Sequence, residues 1–181
     1  RTSLTTPQLN GAMGTWAVKK LGIKKVYSMV SDFGPGIDAE TAFIKAFKEA
    51  GGDVIGQVKF PVANPDFSAF VQRAKDLNPE AIYIWVPGGA QPGAMGKALA
   101  ERGIDARKTK VLGQLELTDP NAIKAMGDAA LGMMVSSHYD AAHDTPKNKA
   151  FAAAYNAEYK RRPDYFSIGG WDGMHLISEV L

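Results

Sequence analysis

Residues 81–90 read Ala81-Ile82-Tyr83-Ile84-Trp85-Val86-Pro87-Gly88-Gly89-Ala90. The first six form an unbroken apolar run, without the polar alternation of a half-exposed strand. Such a run reads as a strand buried on both faces, which is the pattern of a parallel sheet covered by helices. The glycines then lead into a helix that runs through Met95 and Leu99 and stops at Gly103. Strand, glycine-rich turn and helix make one βα unit, and the chain on either side repeats it.

Working backwards, Asn64-Pro65 is expected to cap a helix through Phe67, Phe70, Val71, Ala74 and Leu77, closed by Asn78-Pro79. Val54 to Phe60 is strand-like. Before it, Ile37, Ile44, Phe47 and Ala50 mark a helix ended by Gly51-Gly52. Val26 to Val30 is a strand followed by the turn Ser31-Asp32-Phe33-Gly34-Pro35-Gly36. Thr6-Pro7 reads as a cap with proline at the first helical position, and Leu9, Met13, Trp16, Ala17 and Leu21 fall on one helical face up to Gly22. Working forwards, Val111-Leu112-Gly113 is a short strand, Asp119-Pro120 caps a small helix through Ile123 and Met126, and Met133 to Ser137 is a further strand.

Strands alternating with helices predict an α/β fold, a doubly wound parallel sheet of about five strands with helices on both faces. Ligands in such sheets sit beyond the carboxyl ends of the strands. The loops to watch are therefore residues 31–36, 61–64, 87–92, 114–118 and 138–145. After Tyr139 the rhythm breaks. Thr145-Pro146 starts a helix through Phe151, Tyr155 and Tyr159, Arg161-Arg162-Pro163 ends it, and Trp171, Met174, Ile177 and Leu181 mark another.

Composition narrows the function classes. The 181 residues suit one domain, or one with a fragment of a second. With 45% hydrophobic and 22% charged residues, the chain can bury a core. A net charge of +2 gives no basic stripe for nucleic acid. Zero cysteines exclude disulfides, thiolate nucleophiles and cysteine-based zinc sites. No apolar run has the length of a membrane helix. The sequence opens at Arg1 without a signal peptide and is read as a mature or truncated chain, with a C-terminal part expected beyond Leu181.

Catalytic motifs fail one by one. No Gly-x-Ser-x-Gly elbow follows a strand. The run Gly88 to Gly96 matches neither a phosphate-binding P-loop nor a dinucleotide fingerprint, because Lys97 is followed by Ala98 and the glycine spacing is wrong. The loop still offers close backbone approach and free N–H groups at a helix start, which favour an anion; a tight strand-to-helix turn is the alternative. His138, Asp140, His143 and Asp144 lie close together without the spacing of a helical zinc pair, and a polar exit loop accounts for them. Glu116 has no evident structural duty, whereas Asp119 serves as a cap. Phe67, Phe70, Phe151, Tyr155 and Tyr159 are expected in the core. Phe33 differs, since no core period requires it in its turn.

These motifs, taken in order, resemble type I periplasmic binding proteins, the leucine/isoleucine/valine-type solute-binding proteins of ABC transporters. Arg1-Thr2-Ser3 resembles the entry to their second lobe. Lys25-Val26 to Asp32-Phe33-Gly34-Pro35-Gly36 resembles their strand and Asp-Tyr-Gly-x-Gly turn. Phe43 to Gly52, Pro65-Asp66-Phe67-Ser68 to Arg73, Gly103-Ile104, Gly127 to Gly132 and Phe151 to Pro163 match in order. The resemblance covers essentially the whole chain. It implies a two-lobed protein that closes on its ligand about a hinge. Residues 1–138 would form the C-terminal lobe, and residues 139–181 a crossover with two helices belonging to the N-terminal lobe. It also implies a periplasmic location, an ABC permease as partner, no cofactor, no metal, no nucleic acid and no catalysis. The last two helices would expose apolar faces able to self-associate.

The resemblance places site residues as follows. Phe33 stands where relatives stack a tyrosine on the ligand. Gly88, Gly89 and Ala90 stand near an aromatic position of aliphatic-amino-acid binders and open room for a bulkier ligand. The acid that meets a ligand ammonium falls near Leu115, and here Glu116 is one residue away. Either Glu116 serves an amino acid of branched-chain type, or the ligand is an amine-free aromatic or aliphatic carboxylate; the amine-free acid is preferred. Gln114 and His138 are polar contacts in that case. Two other readings share the fold: the ligand-sensing domain of a regulator or receptor, and an enzyme on a flavodoxin-like sheet.

Overall fold

The computed structural model describes residues 3–181, so what was expected of Arg1 and Thr2 lies outside the described residues. The elements run α1 (Thr6–Lys19), β1 (Lys25–Ser31), α2 (Gly34–Glu49), β2 (Asp53–Phe60), α3 (Phe67–Asp76), β3 (Ala81–Trp85), α4 (Ala90–Glu101), β4 (Lys110–Gln114), α5 (Pro120–Met126), β5 (Met134–Ser136), α6 (Pro146–Tyr159) and α7 (Tyr165–Val180). Single 3-10 turns occupy Leu115–Thr118 and Gly127–Ala130. The five strands are parallel in the order β2-β1-β3-β4-β5. Winding therefore reverses between β1 and β3, and the crevice beyond their carboxyl ends is where such a sheet holds ligands.

The chain divides into two compact units, Thr5–Ser136 and one containing Ser137–Leu181. In the first, β3 shows why its sequence is continuously apolar. Ile82 and Ile84 point into a core with Phe60, Phe67, Val71, Met95 and Leu99 from the α3 and α4 side. Tyr83 and Trp85 point the other way, among Met13, Ala17, Phe43 and Phe47 of α1 and α2. Phe43 lies nearly parallel to Tyr83, with centroids 3.9 Å apart and planes 12° apart, and Phe47 stacks behind it at 5.5 Å.

The structure corrects several local expectations. The cap of α1 is Thr5, one residue before the predicted Thr6. The buried face of α1 is Asn10, Met13, Gly14, Ala17 and Val18, while Trp16 is 40% exposed. The reason is Gly14. A Cβ there would stand 2.5 Å from the Phe43 carbonyl oxygen and 3.0 Å from the Phe47 amide nitrogen, so α2 packs directly on that bare backbone. On α2, Phe43 is buried and Ile37 is not, since Ala39, Glu40 and Phe43 face the sheet. The helix α3 is capped by Asp66, whose carboxylate accepts from Ser68 N, and not by Asn64. Asp119 does cap α5, accepting from the amides of Asn121 and Ala122.

In the second unit, Thr145 caps α6, and Asp164 with Ser167 forms a capping box on α7. Phe151 is the buried centre of an aromatic cluster, 5.0 Å from Trp171 and 5.8 Å from Tyr155. Tyr159, expected in the core, is 59% exposed and packs its ring on Tyr155 at a tilt of 42°. It is the last residue of α6, and the left-handed turn at Lys160 follows at once, so among the described residues nothing covers its outer side.

Candidate functional site

The carboxyl ends of β1, β3 and β4 bring most of the expected site residues together. Phe33, half-buried at the start of α2, packs its ring 5.4 Å from that of Trp85, the last residue of β3. Beyond Trp85 the chain opens into Pro87-Gly88-Gly89-Ala90. Gly89 adopts a φ of +95°, a left-handed conformation that favours glycine, and caps α4 without a side chain of its own. The exposed residues Gly88, Gly89 and Ala90 thus form a low rim. Gln91 Nε2 ties this rim to the β2–α3 loop through a 2.6 Å bond to the Val62 carbonyl. A Cβ on Gly88 would lie 3.9 Å from Glu116 Cγ, so the bare backbone of Gly88 faces that side chain.

Behind the aromatic pair lies a polar network. Tyr83 OH donates to Asn10 Oδ1 at 2.7 Å, and Asn10 Nδ2 donates to Gln114 Oε1 at 2.6 Å. Trp85 Nε1 donates to the same Gln114 oxygen at 3.3 Å. The Gln114 amide nitrogen then donates to both carboxylate oxygens of Glu116, at 3.1 and 3.0 Å. Asn10, Tyr83 and Gln114 are buried, and Glu116 is half-buried. Burial, with Glu40 and Glu116 nearby, pushes the Tyr83 phenol well above its ordinary range, so it remains a neutral donor. Glu40 is itself buried and accepts from Ser28 Oγ at 2.6 Å.

Burial is also the chief cause that raises the Glu116 carboxyl from its ordinary value. The hydrogen bonds from its own backbone N–H and from Gln114 oppose this, and the Asp119 charge adds to it. A raised native pKa means that the folded protein holds the proton more tightly than the unfolded chain. Stability from this group is therefore greatest in acid and falls as pH rises through the native pKa. Glu116→Gln is expected to melt at a higher temperature than the parent at pH 7. The gap should close as pH drops into the ordinary carboxylate range, which paired melting curves at pH 7 and pH 4 would measure. A gap independent of pH would mean that the charge carries no such penalty.

Leu115 is buried in the 3-10 turn that follows β4. His138 belongs to the second unit, where partial desolvation holds its pKa below the usual value and Asp172 works against this. Trp85, Tyr83 and Asn10 escaped the sequence reading. Trp85 and Tyr83 look like ordinary members of an apolar strand, and Asn10 is a single polar residue in a helical stripe. Its position three residues before Met13, on the face that packs inward, was the available signal.

The sequence profile of the family described as "Periplasmic binding protein" matches residues 1–181. The chain belongs to this family. Among relatives of this periplasmic binding protein chain is a "Leu/Ile/Val-binding protein homolog 6" of Brucella abortus (strain 2308). It is 36% identical over 183 residues, an alignment covering 100% of this chain and 47% of that protein. A solute-binding protein of an ABC transporter from Rhodopseudomonas palustris BisB5, solved in complex with 3,4-dihydroxybenzoic acid, superposes with a TM-score of 0.86. The two are 44% identical, over 99% of this chain and 49% of that one. A second, from R. palustris in complex with 4-hydroxybenzoate, superposes with a TM-score of 0.90 at 36% identity, over 98% and 48% of the two chains. The chain thus spans about half the length of the relatives it matches. Among the described residues no helix is long and apolar enough to cross a membrane.

Proposed function

We propose that the chain is part of the solute-binding component of an ABC importer, and that its ligand is a small carboxylate carrying an aromatic ring. Residues 1–138 supply most of one lobe, and residues 139–181 belong with the other. Ligand binding closes the lobes about a hinge, and the closed form delivers the ligand to a membrane permease. The site of action is the periplasm, and no catalytic step is involved. The observation that carries this reading is the Phe33–Trp85 pair at the winding reversal, beside the low Gly88-Gly89-Ala90 rim. An aromatic pair with an open wall suits a flat ring, which stacks or packs edge-to-face at such distances. The benzoate-type ligands of the two R. palustris proteins support the same class. His138 and Leu115 remain proposed members of the ligand surface.

The test is a thermal-shift panel on the full two-lobed protein, with benzoates, aliphatic acids and branched-chain amino acids. A ligand at about 100 times its dissociation constant adds roughly 2.7 kcal/mol to stability. Benzoates are expected to raise the melting temperature and leucine to leave it unchanged. A shift with amino acids alone would replace the aromatic acid by an amino acid, with Glu116 as its ammonium partner. On α7, Phe166 and Val180 are 73% and 78% exposed. Chain lacking the rest of the N-terminal lobe should self-associate through this face, as sedimentation would show.

A further inference from the structure

The Gln114–Glu116 pair lies beside the aromatic surface, joined to it through Trp85 Nε1. The orientation of the Gln114 amide is determined from both ends. The Trp85 indole nitrogen can only donate, so the oxygen of Gln114 faces it. Asn10 Nδ2 donates to that same oxygen from the helix side. Glu116 as a carboxylate can only accept, so the NH2 of Gln114 faces it. A flipped amide would set like groups against each other at both ends, two of them buried. Gln114 is therefore a positioning residue that holds the Glu116 carboxylate in one place, opposite the bare backbone of Gly88.

The result is a fixed acceptor at the edge of an aromatic site. The Glu116 carboxylate accepts from the Gln114 amide and from its own backbone N–H, and it keeps a free lone pair, because a carboxylate offers about four acceptor sites. Since Glu116 is only half-buried, a ligand can reach it. The ligand's own carboxylate would be repelled there and must point elsewhere. A donor on the ring is what this position lacks.

We propose that Glu116, held by Gln114, accepts a hydrogen bond from a ring hydroxyl of the ligand, so that the site selects hydroxylated aromatic acids over those bearing an apolar group of the same size. This rests on the aromatic-acid reading and adds the selectivity to it. The raised carboxyl pKa caused by burial agrees with it, since a partly desolvated carboxylate gains from a donor.

The test compares ligands of equal shape. Dissociation constants are measured calorimetrically on the full two-lobed protein for 3- and 4-hydroxybenzoate and for 3- and 4-methylbenzoate. An apolar pocket prefers the methyl compounds, whereas a site built for a hydroxyl rejects them. The expected result is a hydroxyl preference of roughly tenfold or more at one ring position, the size of a hydrogen bond to a charged group. In Glu116→Ala this ratio should fall to about one or reverse, and in the isosteric Glu116→Gln it should fall part of the way. Equal or tighter binding of both methyl compounds by the parent protein would overturn the selectivity and leave the aromatic-acid reading standing. So would a hydroxyl preference that survives in both variants. Failure of all four compounds to bind, with leucine binding instead, would overturn both.

Discussion

Phe43→Ala is expected to lower the unfolding free energy by about 3–5 kcal/mol. Phe43 is fully buried between α2 and the sheet, stacked on Tyr83 and backed by Phe47. Its removal leaves a cavity that neither neighbour can fill, because Phe47 is held by its own helix and Tyr83 is tethered through its hydroxyl to Asn10. The cost has two parts, the lost transfer of the ring from water and the unfilled space. Urea denaturation should show a lower midpoint with an unchanged slope. Phe70→Ala, which removes a half-buried ring on the opposite face, should cost clearly less. Equal losses would mean that α2 does not seat on the sheet as described.

Gln114→Leu is the second large effect, expected at about 2–6 kcal/mol. Leucine nearly preserves the volume, so the loss is not chiefly a cavity. It comes from two buried N–H groups that lose their acceptor, that of Trp85 Nε1 and the Asn10 Nδ2 hydrogen not given to the Thr6 carbonyl, at about 1–3 kcal/mol each. A double-mutant cycle with Asn10→Leu should show a coupling of about 0.5–3 kcal/mol, because the two amides share one bond. A coupling of zero would contradict the network. The variant should also weaken ligand binding, since it frees the Glu116 carboxylate from its support.

The fold was legible in the sequence because parallel strands declare themselves. The apolar run Ala81–Val86, the glycine-rich turn after it and the helix stop at Gly103 each have one economical reading. Helix faces were less legible. On α1 the sequence predicts a stripe through Leu9, Met13, Trp16, Ala17 and Leu21; Met13 and Ala17 are buried, but the buried face leaves Trp16 exposed and takes in Asn10 and Gly14. Both are poor markers of a core by hydrophobicity. They are there because α2 needs bare backbone at Gly14 and the polar network needs an amide at residue 10. Phe33 and Glu116 could be singled out because no structural duty explained them. Trp85 could not, since its apolar body satisfies the strand pattern and its indole N–H becomes visible only once Gln114 is placed opposite.

The most direct measurement is the indole N–H resonance of Trp85 in nitrogen-15-labelled full two-lobed protein, assigned by its loss in Trp85→Phe and followed while 4-hydroxybenzoate is added. Trp85 packs against Phe33 and donates to Gln114, so a ligand on this surface must change its surroundings. The Trp85 resonance is expected to shift and saturate with the calorimetric dissociation constant, while that of Trp16, exposed on α1, stays in place. Heat of binding accompanied by an unmoved Trp85 resonance would contradict a site at the carboxyl edge of β1 and β3.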